Sequence, residues 1–104
     1  LMGSIAIIVR AEAGLEELGE NWVPLPLGER HSIESIVKDV ISTESDQLLL
    51  SLEIEGPDES DLPRSITASG VWGAEERRVL RSLCQRLSAR LYDAESGGFI
   101  EHEL

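Results

Sequence analysis

Cysteine, histidine, lysine, aromatic rings and long apolar runs are all scarce in this chain of 104 residues. The single cysteine, Cys84, excludes an intramolecular disulfide and fits a reducing compartment. His31 and His102 stand far from each other and from Cys84, so the ligand spacing of a transition-metal site is missing and no metal or cofactor is expected. No apolar run approaches the ~18 residues that a membrane helix needs. The opening Leu1-Met2-Gly3-Ser4 lacks a basic leader, and the apolar Ile5 to Val9 is too short for a secretory signal. Leu1 ahead of Met2 reads as a residue left by cloning, with Met2 the natural start, and a cytoplasmic protein of bacterial type is the expectation. The nucleophile elbow, the phosphate-cradling glycine loop and the dinucleotide fingerprint are also absent, so the reading leans away from an enzyme.

What is abundant is negative charge. Nine basic residues, of which only Lys38 is a lysine, face 20 acidic ones, and the net charge is −11. Such a field repels phosphate backbones and anionic lipid, so direct binding to nucleic acid or membrane is disfavoured. It would accelerate encounter with a basic partner protein. The plainer account is that acidic surfaces keep a small protein soluble.

The fold is organised around residues 46–72. In the run 47–55, Leu48, Leu50, Leu52 and Ile54 fall on one side, and Leu49, Ser51, Glu53 and Glu55 on the other, the period-2 pattern of a half-buried strand. An acidic loop over 56–64 follows. Then Ile66, Ala68, Gly70 and Trp72 alternate with Ser65, Thr67, Ser69 and Val71. This spacing predicts a long hairpin, with Trp72 in the core at its end.

Around it, Ser4 to Arg10 is β-branched on both faces and predicts a strand covered on both sides in the middle of a sheet. Residues 11–20 read as an acidic connection, and residues 22–27, with Pro24 and Pro26, as an extended edge segment whose prolines withhold ladder donors. Ile33, Ile36, Val37, Val40 and Ile41 make one helical stripe between Ser32 and Ser42. A second helix starts near Gly73-Ala74 with Glu75 and Glu76 in its first turn. Its stripe is Val79, Leu80, Leu83, Cys84 and Leu87, and the arginines 77, 78, 81, 86 and 90 are available to acidic groups of the hairpin. A glycine pair, Gly97-Gly98, between short apolar runs predicts a final hairpin over 90–101.

One domain is expected, since the length suits a single core. The element order implies an α+β two-layer sandwich, a mainly antiparallel sheet with two helices on one face, of ferredoxin-like type and with strand order open.

Chemistry is weighed residue by residue. Cys84 lies inside a helical stripe and reads as a buried structural thiol. His31 reads as a surface or capping residue. Asp58, Glu59 and Asp61, flanked by Glu53 and Glu55, form the densest acidic group, but their spacing lacks the turning glycine of a calcium loop. The candidate partner-binding set is therefore Glu53, Glu55, Asp58, Glu59 and Asp61, with Trp22 as an aromatic anchor. The function expected is a small acidic binding protein that engages a basic partner, as an immunity protein or inhibitor does. The alternatives are a metal-dependent or dimer-cleft enzyme, or a homo-oligomeric accessory domain, with a homodimer through the edge segment as one arrangement.

Overall fold

The computed structural model describes residues 4–11, 24–44, 50–55, 62–93 and 97–100. They form β1 (Ser4–Val9), α1 (Arg30–Glu44), β2 (Leu50–Ile54), β3 (Ser65–Gly70), α2 (Ala74–Leu87), β4 (Arg90–Asp93) and β5 (Gly98–Phe99). The five strands make one sheet in the order β2-β3-β1-β4-β5, antiparallel at every step. β1-α1-β2 and β3-α2-β4 are thus two interleaved split units, each helix joining parallel strands that have an antiparallel strand between them. The five-strand order is not that of a four-stranded ferredoxin-like sheet, because β5 extends the sheet beyond β4.

Alternation decides which side of the sheet the helices cover. Ala6 and Ile8 of β1, Ile66 and Ala68 of β3 and Leu91 of β4 are buried in one cluster with Ile33 and Val40 of α1 and with Val79, Leu80, Leu83, Cys84 and Leu87 of α2. Each large aliphatic side chain removed from water in this way contributes roughly 1.5–3 kcal/mol. β1 is the central strand, as its sequence suggests, but its side away from the described helices is only partly covered: Ile5 is 48% exposed and Ile7 half-buried there, whereas Val9 is buried. β-branched residues favour a strand whichever way they face, so their presence on both sides does not imply two covering layers.

Local chemistry sets the helix ends. α1 starts two residues before Ser32, after Gly28 has turned the chain at a φ of 148° and with the Glu29 carbonyl accepting from Ile33 N–H at 3.0 Å. At the start of α2 the Glu76 carboxylate accepts the Gly73 N–H at 3.0 Å, which is half of a capping box, since glycine has no side chain with which to reciprocate. Glu76 is consequently the one buried charged residue among those described. α2 ends at Ser88, in the left-handed region (φ 51°, ψ 45°), where Ala89 N–H closes on the Cys84 carbonyl at 2.8 Å. Arg90 therefore belongs to β4 and not to the helix. Arg86 pairs with Asp39 of α1 at 2.6 Å, across the two helices instead of with the hairpin.

β3 is shorter than its pattern: it ends at Gly70, leaving Trp72 half-buried against the core beyond the strand. Residues 46–49 of the predicted hairpin lie outside the described set. Residues 24–27 are an extended strap across the end of β1, not a sheet edge. Leu25 bridges to Arg10, Leu27 N–H donates to the Pro63 carbonyl at 2.9 Å, and Arg64 Nη1 donates to the Pro24 carbonyl at 2.7 Å. Arg10 secures the strap by donating to the carbonyls of Pro26 (3.1 Å) and Leu27 (3.0 Å). The prolines lack donors, yet both of their carbonyls are used.

Candidate functional site

With the helices on one side, every second strand residue is left on the other. The strand registers set these residues in rows. One row runs Glu53, Thr67, Ile7, Tyr92, Phe99 across all five strands. A second joins Ser65, Val9 and Arg90, and a third Ser51, Ser69 and Ile5. The face is therefore divided: carboxylates and hydroxyls lie on β2 and β3, and aliphatic and aromatic groups, together with the Arg90 guanidinium, on β1, β4 and β5.

On the apolar half, the Arg90 guanidinium lies 3.9 Å from the centre of the Phe99 ring, and Tyr92 meets the same ring edge-on at 5.3 Å. These contacts bury Phe99 on a strand of only two residues. The sequence carried no signal for the cluster beyond a predicted hairpin, because the register that aligns Tyr92 with Phe99 depends on the turn between them.

On the polar half, Glu53 and Glu55 are both exposed, at the outer edge of the sheet. Glu53 points away from the helices because Leu52 and Ile54 beside it pack against the core. Glu55, just past the strand, accepts from the Ser65 hydroxyl at 2.8 Å through its carboxylate, and its carbonyl accepts from Arg30. One of the two carboxylates is thus fixed in place and the other is open to water. Asp58, Glu59, Asp61 and Trp22, which complete the sequence-derived set, lie outside the described residues.

The other candidates separate. Cys84 is buried within the α2 stripe, and His31 is exposed in the first turn of α1. Among the described residues no three of His, Cys, Asp and Glu gather where they could hold a metal ion. No described helix is long and apolar enough to cross a membrane.

Fold and surface together define an acidic two-layer α+β domain in which, among the described residues, the helices cover one side of the sheet and the edge strand bears a carboxylate. Comparison with family models, with curated proteins and with solved structures finds no match to this chain.

Proposed function

We propose that this is a small acidic binding protein that engages a basic partner protein, in the manner of an immunity protein or inhibitor, through the carboxylates at and beside β2. The observation that carries the reading is the placement of Glu53 and Glu55, exposed together on the outermost strand and its end, in a chain of net charge −11. Asp58, Glu59 and Asp61 follow closely in sequence. Carboxylates so placed steer a cationic surface and fix its register on arrival. A cytoplasmic setting belongs to the same proposal, since Cys84 is the only cysteine and suits a reducing compartment.

The test separates local docking from bulk charge. Basic proteins captured from lysate at ~50 mM salt should be released near ~500 mM, because the screening length shrinks several-fold over that range. The Glu53→Gln/Glu55→Gln variant should retain less of them at low salt. Glu34→Gln/Glu75→Gln, which removes the same charge from exposed positions on the helices, should retain them as wild type does. Equal losses from both variants would reduce the acidic edge to a share of the net charge, and capture of no salt-sensitive protein would end the proposal.

A further inference from the structure

We infer that the basic partner docks by strand addition: an extended segment of alternating basic and apolar residues pairs antiparallel with the outer edge of β2. This rests on the proposed function and specifies its geometry. Three observations on β2 support it.

The first is which backbone groups are open. Glu55 N–H donates to the Ser65 carbonyl at 3.0 Å, and the register continues in step through Glu53 with Thr67 and Ser51 with Ser69. In an antiparallel ladder the hydrogen-bonding residues alternate, so Ser51 and Glu53 bond inward to β3, while Leu50, Leu52 and Ile54 direct their N–H and C=O groups outward. Among the described residues no strand lies on that side. A row of main-chain donors and acceptors at an edge is a template for an added strand.

The second is that the helix side of β2 is incompletely covered: Leu50, Leu52 and Ile54 pack against the core cluster yet are only half-buried, as are Ile36, Val37 and Ile41 of α1. Apolar side chains of an added strand would extend this seam.

The third is charge. Opposite Ser51 and Glu53, an antiparallel newcomer makes non-hydrogen-bonded pairs, the closer kind, with Cα atoms about 4.5 Å apart. An arginine or lysine there meets Glu53 across the strands, with Glu55 beyond it. A second copy of this chain would instead bring −11 against −11. The charge selects a basic segment over self-pairing.

The probes are three synthetic peptides: the alternating Arg-Val-Arg-Val-Arg-Val-Arg, the same residues in block order, and the alternating peptide N-methylated at its valines, which keeps every charge but removes the donors that face β2. Affinity is read by calorimetry at low salt, and strand formation by hydrogen exchange at the Leu52 and Ile54 amides. The alternating peptide should bind tightest and slow exchange at both amides, and N-methylation should weaken it about tenfold or more by deleting the ladder. The Glu53→Lys variant should weaken binding of the alternating Arg-Val peptide by more than a change of two in the net charge does elsewhere on the surface.

Equal binding of the N-methylated peptide with unchanged exchange would overturn strand addition while leaving the electrostatic reading intact. Failure of all three peptides to bind would overturn it as well. Leu52 and Ile54 protection that rises with protein concentration alone, together with a doubled mass in light scattering, would assign the edge to a second copy instead.

Discussion

Arg10 Nη2 lies 2.8 Å from the carbonyl oxygen of Leu87, a hydrogen bond between residues 77 apart in sequence. The same guanidinium reaches the carbonyls of Pro26 and Leu27, so one side chain at the end of the central strand joins the C-terminal turn of α2 to the 24–27 strap. A planar fork with several donors can satisfy three carbonyls at once, which a lysine ammonium on a flexible stem cannot do in this geometry. Arg10→Met should destabilise the protein by about 3 kcal/mol or more, because a half-buried charged donor is lost and three carbonyls are left without it. Arg10→Lys should recover less than half of that. Urea unfolding followed by tryptophan fluorescence measures both, and an Arg10→Met midpoint equal to wild type would show the clasp to be energetically idle.

Glu76 is a cap in the guise of a first-turn acid. Removing its carboxylate in Glu76→Ala should cost about 1–2 kcal/mol, the usual range for a lost helix N-cap bond. Glu76→Gln keeps an acceptor for Gly73 N–H and should stay close to wild type. An independent check comes from Gly73→Ala, whose new Cβ would stand 2.8 Å from Glu76 Oε1 and displace it. Thermal unfolding of the three variants should rank Gln above both alanines; a Gln variant as unstable as Glu76→Ala would place the effect in the charge and not in the cap.

Ser88 holds the left-handed position that ends α2, a conformation glycine adopts without steric cost. Ser88→Gly should therefore stabilise the fold by about 0.5–1 kcal/mol, the range in which relief of left-handed strain exceeds the extra freedom gained by the unfolded chain. Chemical denaturation is sufficient to read it. A loss of stability would mean that the serine side chain contributes more than its backbone costs.

The two helices, the alternating strands and the final hairpin were legible because each depends on periodicity, and periodicity survives in a single sequence. Ile33 to Ile41 fall on one helical face whether or not their partners are known, and Leu50, Leu52 and Ile54 on one strand face. Arg10 was not legible. Its partners are three backbone carbonyls, and a carbonyl has no residue identity to read. Glu76 was legible only as charge near a helix start; its burial follows from the position of Gly73. For Ile5 and Ile7 the composition implied a covering layer, and the choice of side was made by Ala6 and Ile8, the residues the helices cover. Of the acidic set, Glu53 and Glu55 come out exposed as the alternation requires, while the face they share with Tyr92, Phe99 and Arg90 depends on strand order, which no local pattern encodes.

The central place of β1 bears on the timing of folding. Its nearest ladder partner in sequence is Ser65, paired with Val9, and its other neighbour begins at Arg90. Each pairing that completes the middle of the sheet must therefore close a loop of more than half the chain, a topology associated with slow folding. β2 and β3 can meet early as neighbours along the sequence. During synthesis β1 has no ladder partner until β3 is made, and its second edge stays unpaired until Arg90–Asp93 follows. The same segment that anchors the finished sheet is thus an apolar strand with an unpaired edge for most of synthesis, the kind of surface that is open to aggregation or to a holding chaperone.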